Sequence, residues 1–257
     1  MPSIDDKKIK AVIFDLDDTL ISEYEFVASG YRFASKMLTE RLGHTAEEIE
    51  ERLFELSRET YSNAFNRLFD SYGVSYTEEE LKDLISAYRN HPAGTRFYSD
   101  VEETLAALKE RGILTGIISD GDPVRQRNKI RTAVSGMNAE IDHLFDEIIV
   151  TDELGGKEFR KPDPKAFEEM AQRLHVDASE MIYVGDNPAK DFHISVDLPV
   201  RTARIVRENG IYTDREYLDG IRETWSINTL TDIISIIDER NGPDLIRTKS
   251  LILGSMS

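Results

Sequence analysis

Short apolar runs that stop abruptly at polar clusters dominate the chain. Ala11-Val12-Ile13-Phe14 runs straight into Asp15-Leu16-Asp17-Asp18-Thr19. Residues 113–118 end at Ser119-Asp120-Gly121-Asp122, residues 145–150 at Thr151-Asp152, and residues 181–184 at Gly185-Asp186-Asn187. Residues 199–205 offer a fifth run. Continuous rather than alternating apolarity is the mark of a strand buried on both faces, as in a parallel sheet. Helical patterns separate the runs. Ser99-x-x-Glu102 reads as a capping box ahead of Leu105, Leu108 and a stop at Gly112. Asp163-Pro164 reads as a helix start, with Phe167, Met170, Ala171 and Leu174 on one stripe, and Asn228-Thr229 as the cap of a helix to about Glu239. The alternation predicts an α/β core: a parallel sheet with helices on both faces, and a ligand site beyond the strand C-termini. The polar clusters all fall on that edge.

Residues 21–93 break the alternation with helical pattern alone. Phe26, Phe33, Met37 and Leu38 precede Gly43; Thr45-x-x-Glu48 opens a stretch carrying Ile49, Leu53, Leu56, Phe65, Leu68 and Phe69 before Gly73; Thr77-x-x-Glu80 opens another with Leu81, Leu84, Ile85 and Tyr88, closing before Pro92. The pattern predicts an all-helical domain over 21–93 inserted into a core made of 1–20 and 94–257. The last stretch, 241–257, has no readable pattern.

Composition narrows the chemistry. With 32 Lys and Arg against 49 Asp and Glu, the formal charge is −17, the wrong sign for gripping a nucleic-acid backbone. No cysteine is present, which excludes disulfides, thiolate metal sites and thiol nucleophiles. No run approaches the ~18 apolar residues of a membrane span, and MPSIDDKKIK has no apolar signal stretch, so a cytoplasmic protein is expected. The five histidines (His44, His91, His143, His175, His193) show no ligand spacing and are expected to be structural or solvated.

Asp15-x-Asp17-x-Thr19 puts two carboxylates on one side of an extended segment. Such a pair can share a hard divalent cation or divide the roles of nucleophile and acid/base; it can equally be an acidic turn or helix cap. Its place after a buried strand favours chemistry. Ser119 offers a hydroxyl and Gly121 a close backbone approach to an anion, although Ser-Asp-Gly is also an ordinary turn. Lys161, in Arg160-Lys161-Pro162-Asp163-Pro164, stands before a helix start where ammonium and free N–H groups can meet an anion. Asp186 and Asp191 follow another apolar run, and either could simply cap the next helix.

In this order the four segments resemble the four motifs of the haloacid dehalogenase-like (HAD) hydrolases, most of which are phosphatases. FDLDDTL, the strand-ending Ser119, the KPDP lysine and VGDNPAKD match one each. The resemblance implies a Rossmann-like core with a helical cap between the first and second motifs. It implies Asp15 as the nucleophile forming an aspartyl-phosphate and Asp17 as the general acid/base. Mg²⁺ is then held by Asp15, the main-chain carbonyl of Asp17 and Asp186. Ser119 and Lys161, with N–H groups near Asp18 and Gly121, bind the phosphoryl oxygens. Thr19 steadies the first loop, and Asp191 supports Lys161 or the metal's waters. The expected activity is Mg²⁺-dependent hydrolysis of a small phosphorylated metabolite by a monomer or homodimer. A dehalogenase, a sugar phosphomutase and a non-catalytic phosphometabolite-binding module are the alternatives; Asp17 speaks against the first, since a departing halide needs no proton. Specificity is expected from inward-facing cap residues among Tyr24, Tyr31, Arg32, Arg58, Tyr61, Asn63 and Arg67.

Overall fold

A computed structural model describes residues 7–137 and 144–242; the tail from 243 and His143 lie outside the described residues. Strands β1 (Ala11–Phe14), β2 (Leu114–Ser119), β3 (Glu147–Val150), β4 (Met181–Gly185), β5 (Arg201–Ile205) and β6 (Trp225–Ile227) form one sheet. Every pairing is parallel, in the order β3-β2-β1-β4-β5-β6. Chain order reverses at β1, whose Ala11 pairs Leu114 on one side and Met181 on the other. A cleft beyond the strand ends opens at such a reversal.

Alternate residues of each strand feed two cores. Val12, Phe14, Ile117, Ile182 and Val184 pack with Leu105, Leu108, Ile130 and Ile233 from helices Val101–Glu110, Pro123–Ser135 and Asp232–Asn241. Ala11, Ile13, Ile118 and Tyr183 pack on the opposite face with Phe167 and Met170 of helix Lys165–Leu174. Phe167 is fully buried, its ring meeting Tyr183 edge to face at 4.9 Å. Phe167→Ala is expected to cost about 3–5 kcal/mol in a denaturant titration of the folded chain. A loss under about 1 kcal/mol would show that this helix is not core-forming.

The expected helix starts fared unevenly. Thr45 and Thr77 form complete capping boxes with Glu48 and Glu80. At 99–102 the helix instead begins at Val101, with Asp100 as an N-cap that makes no side-chain cap bond. Its carboxylate is occupied: Arg207 donates to both oxygens at 2.8 and 2.9 Å, and the Leu230 N–H at 2.9 Å. Pro164 is the N-cap rather than the first helical residue, and Asp163 accepts from the Lys165 N–H at 2.9 Å. Asn228 and Thr229 do not cap the last helix; Asp232, inside its first turn, accepts from their N–H groups. Strand β6 is too short and too exposed to read as an apolar run.

The chain divides into two compact units, one running to Glu23 and resuming at Arg96, the other Tyr24–Thr95. Ile21 bridges to Asp17 and Phe97, which keeps residues 21–23 with the α/β unit. The second unit consists of helices, with Ala46–Ser57 and Ala64–Ser71 separated by a break at residues 58–63. Within it Tyr31 is buried against Phe54, Phe65 and Tyr88, its hydroxyl 2.6 Å from Ser57 Oγ. Tyr31 is therefore a packing residue of that unit. Arg32 pairs with Glu50 and Arg67 with Glu59.

Candidate active site

The Asp15 N–H donates to the Val184 carbonyl at 2.8 Å, extending the sheet one residue past Phe14. This seats the Asp15 side chain at the β1/β4 edge with only 3% exposure. Lys161 Nζ, fully buried, lies 2.7 Å from Asp15 Oδ1 and 3.0 Å from Asp191 Oδ1, and also reaches the Tyr183 hydroxyl. Asp191 Oδ2 accepts from the Asn187 N–H at 2.9 Å, closing the loop after β4. That loop needs a glycine at its root. A Cβ on Gly185 would stand 2.6 Å from Asp191 Oδ2.

Asp15, Asp186 and Asp191, all buried, place one carboxylate oxygen each within 4.8 Å of one another. Asp186 Oδ2 is buried with no hydrogen-bond partner. Burial, then Asp191 and Asp15, push the Asp186 carboxyl well above its ordinary range. Burial likewise pushes Asp15 up to about 6 despite Lys161 and Lys190. Three crowded hard oxygen donors, one of them orphaned, fit a divalent cation such as Mg²⁺ or Ca²⁺. Lys161 and the Asn187 N–H occupy both oxygens of Asp191, whereas Lys161 takes only Oδ1 of Asp15 and Asp186 Oδ2 is unpartnered, so Asp15 Oδ2 and Asp186 are the freer donors.

Asp17 faces the other way. Lys129 Nζ is 2.8 Å from its Oδ1, and Gln126 Nε2 donates to its Oδ2 at 2.8 Å. Burial alone would raise the Asp17 carboxyl, but Lys129, Arg125 and Gln126 outweigh it and hold it below the usual range. Lys129 also pairs with Glu23, whose carboxyl burial and the Asp17 charge push up to about 7. Asp17's side chain therefore stands outside the carboxylate cluster.

Asp18 sits in the left-handed region at φ 53°, its carboxylate accepting from the N–H groups of Glu23 at 2.9 Å and Ile211 at 2.7 Å. Thr19 is buried, its hydroxyl unpartnered, while its carbonyl accepts from Arg207. Ser119 is buried at the end of β2 and its Oγ accepts from Gln126 Nε2 at 2.6 Å. Gly121 follows at φ 127°, a backbone that a side chain would strain.

Sequence reasoning missed several groups. Asp120 accepts from the Lys161 N–H at 3.0 Å and from Lys190 Nζ at 3.0 Å, and Lys190 Nζ is also 3.9 Å from Asp15 Oδ2. Burial would raise Asp120, yet Lys190 and Lys161 together hold it low. Asp120 and Lys190 had a signal, each flanking a recognised strand end. Lys129, Gln126 and Glu23 had none, because nothing in QRNK distinguishes a buried lysine from a solvated one.

No helix among the described residues is long and apolar enough to cross a membrane. The sequence matches the haloacid dehalogenase-like hydrolase family over residues 9–192, and a HAD-hydrolase-like family over 158–233. It is 31% identical over 239 residues to the glyceraldehyde 3-phosphate phosphatase of Pyrococcus abyssi, spanning 91% of this chain and 96% of that protein. The protein of the same name from Methanocaldococcus jannaschii is 31% identical, spanning 89% and 97%. A HAD phosphatase from Thermococcus onnurineus, known by crystal structure, superposes with a TM-score of 0.58 at 27% identity, over 89% of this chain and 98% of that one. The match runs from the first strand through the loop that holds Asp186 and Asp191, and on those grounds this chain belongs to the haloacid dehalogenase-like hydrolase family.

Proposed function

We propose that this protein is a Mg²⁺-dependent phosphatase that hydrolyses a small organic phosphate monoester through an aspartyl-phosphate at Asp15. The observation that carries the reading is the buried Asp15 carboxylate, fixed by Lys161 at 2.7 Å beside the orphaned oxygen of Asp186. Asp15, Asp186 and the Asp17 carbonyl would hold the cation, which supplies positive charge against the phosphate and the carboxylates around it. A carboxylate oxygen of Asp15 attacks phosphorus as the ester P–O bond breaks, and the departing alkoxide takes a proton from Asp17. Water then gives a proton to Asp17 and attacks phosphorus, the bond to Asp15 breaks, and inorganic phosphate leaves. Ser119 and Lys161 donate to the phosphoryl oxygens throughout.

The depressed Asp17 carboxyl makes it an anion in the free protein, the form needed to accept the water's proton. An arriving phosphate dianion raises its proton affinity by like-charge repulsion, which suits the first half-reaction. The inserted unit Tyr24–Thr95 is assigned the role of a cap that admits substrate and excludes water, from its place in the chain after the nucleophile loop. The kinship makes glyceraldehyde 3-phosphate the first ester to test.

The test is phosphate release from para-nitrophenyl phosphate and a panel of metabolite phosphates, with Mg²⁺ and with EDTA. Turnover of at least one ester that EDTA abolishes is expected; no turnover on any would end the reading. Metal affinity should also depend on pH. Protons must leave Asp15 and Asp186 before a cation binds, so apparent Mg²⁺ affinity rises from pH 5 to pH 7. Asp15, titrating at about 6, contributes about tenfold of that rise. Equal affinities by calorimetry at pH 5 and pH 7 would contradict the assignment of these ligands.

A further inference from the structure

Helix Pro123–Ser135 carries two side chains, one turn apart, that grip the same carboxylate. Gln126 and Lys129 are both fully buried. Lys129 Nζ takes Asp17 Oδ1 and Gln126 Nε2 takes Oδ2, each at 2.8 Å. The amide nitrogen of Gln126, not its oxygen, must face this oxygen, because two acceptors there would repel. That nitrogen also donates to Ser119 Oγ at 2.6 Å. Filling an acceptor position on Ser119 turns the hydroxyl proton away from Gln126, which leaves the serine as a donor. Glu23 also pairs with Lys129, supplying a second carboxylate to the buried ammonium.

We infer that Gln126 and Lys129 form a positioning clamp that fixes the aim of Asp17 and the donor direction of Ser119, with Glu23 anchoring the lysine. The inference rests on the proposed acid/base role of Asp17 and adds residues that touch neither substrate nor metal. A group that must meet the leaving oxygen is useful only while its own rotamer is held, and Asp17 has no backbone N–H donor to its side chain among the bonds given above. The clamp provides that hold from a helix rather than a loop. It also ties acid/base and phosphoryl binding together, because one amide group spans the two.

The test compares kcat/KM for para-nitrophenyl phosphate, whose leaving group needs no proton, with kcat/KM for the best alkyl phosphate in the panel. Both values report the step in which the leaving group departs. The Lys129→Met/Glu23→Gln double variant removes the lysine without stranding its second carboxylate. It is expected to lose about 10²-fold on the alkyl ester and less than about threefold on the nitrophenyl ester. Gln126→Met is expected to discriminate in the same direction and also to raise KM for both esters, through Ser119. Lys129→Arg, which keeps a cation facing Asp17, should retain at least about tenfold more alkyl-ester activity than Lys129→Met. Equal losses on the two esters, or no loss, overturn the clamp, as does equal loss in Lys129→Arg and Lys129→Met if the double variant does not fold. Asp17→Asn separates the two levels. Leaving-group discrimination in Asp17→Asn without it in the clamp variants defeats the clamp alone; its absence from Asp17→Asn defeats the acid/base reading and the clamp with it.

Discussion

Asp15→Asn is expected to lower kcat on every phosphate ester by about 10⁴-fold or more, since the other carboxylates of that loop are held elsewhere, Asp17 by Lys129 and Gln126 and Asp18 by the N–H groups of Glu23 and Ile211. Folding should survive, because the amide keeps the shape of the side chain and Lys161 keeps Asp191 at 3.0 Å. A pH signature identifies the residue independently of activity. Asp15 in the folded protein holds its proton up to about 6, against 3.8 for an ordinary Asp, so folding binds a proton in that window. Its contribution to stability is therefore present at low pH and lost as pH rises through about 6. Asparagine does not titrate. In EDTA, the melting temperature of Asp15→Asn relative to the native protein should rise between pH 4 and pH 7. A fully active variant refutes the nucleophile assignment, and a pH-independent difference in melting temperature refutes the raised pKa.

Lys161→Met should damage both stability and catalysis. The ammonium is the direct partner of Asp15 and Asp191, and its removal leaves buried carboxylates facing each other beside Asp186. Burial disfavours the Lys161 charge, but Asp15 and Asp191 more than compensate and raise its proton affinity. Breaking a buried ion network by deleting one member costs about 3–5 kcal/mol. Measured by denaturant titration without metal, Lys161→Met should fall in that range, and Lys161→Met/Asp191→Asn should recover most of it. Activity should not return in the double variant, because the phosphoryl donor is still missing. Restored turnover there would reduce Lys161 to a structural counter-ion.

Most of the site that could be read from sequence sits where an apolar run meets polar residues. β1 and β4 were legible because burial on both faces leaves no polar interruption, and Asp15, Asp17, Ser119, Asp186 and Asp191 were legible because they follow such strands. Capping boxes at Thr45 and Thr77 were legible because their partners lie three residues away. The same local rule misplaced the helix start at Ser99, since Asp100 answers to Arg207 and Leu230, more than a hundred residues distant. β6 was illegible for a related reason, as three residues at a sheet edge carry little pattern of their own. In the site the gap is Lys129, Gln126 and Glu23. Their polar identities predict solvent, and only tertiary packing brings Gln126 and Lys129 onto Asp17 and Glu23 onto Lys129.

Gly185 bears on how this site could change. An alanine there adds one methyl group, and that methyl would overlap the Asp191 carboxylate at 2.6–2.9 Å. Something must move, and Asp191 is fastened to Lys161, which is fastened to Asp15. The smallest steric change at an uncharged position is thus transmitted as a displacement of charge at the nucleophile. A survey limited to the ionisable groups would therefore miss a position, Gly185, whose change disturbs the charge cluster as directly as a change to one of its carboxylates.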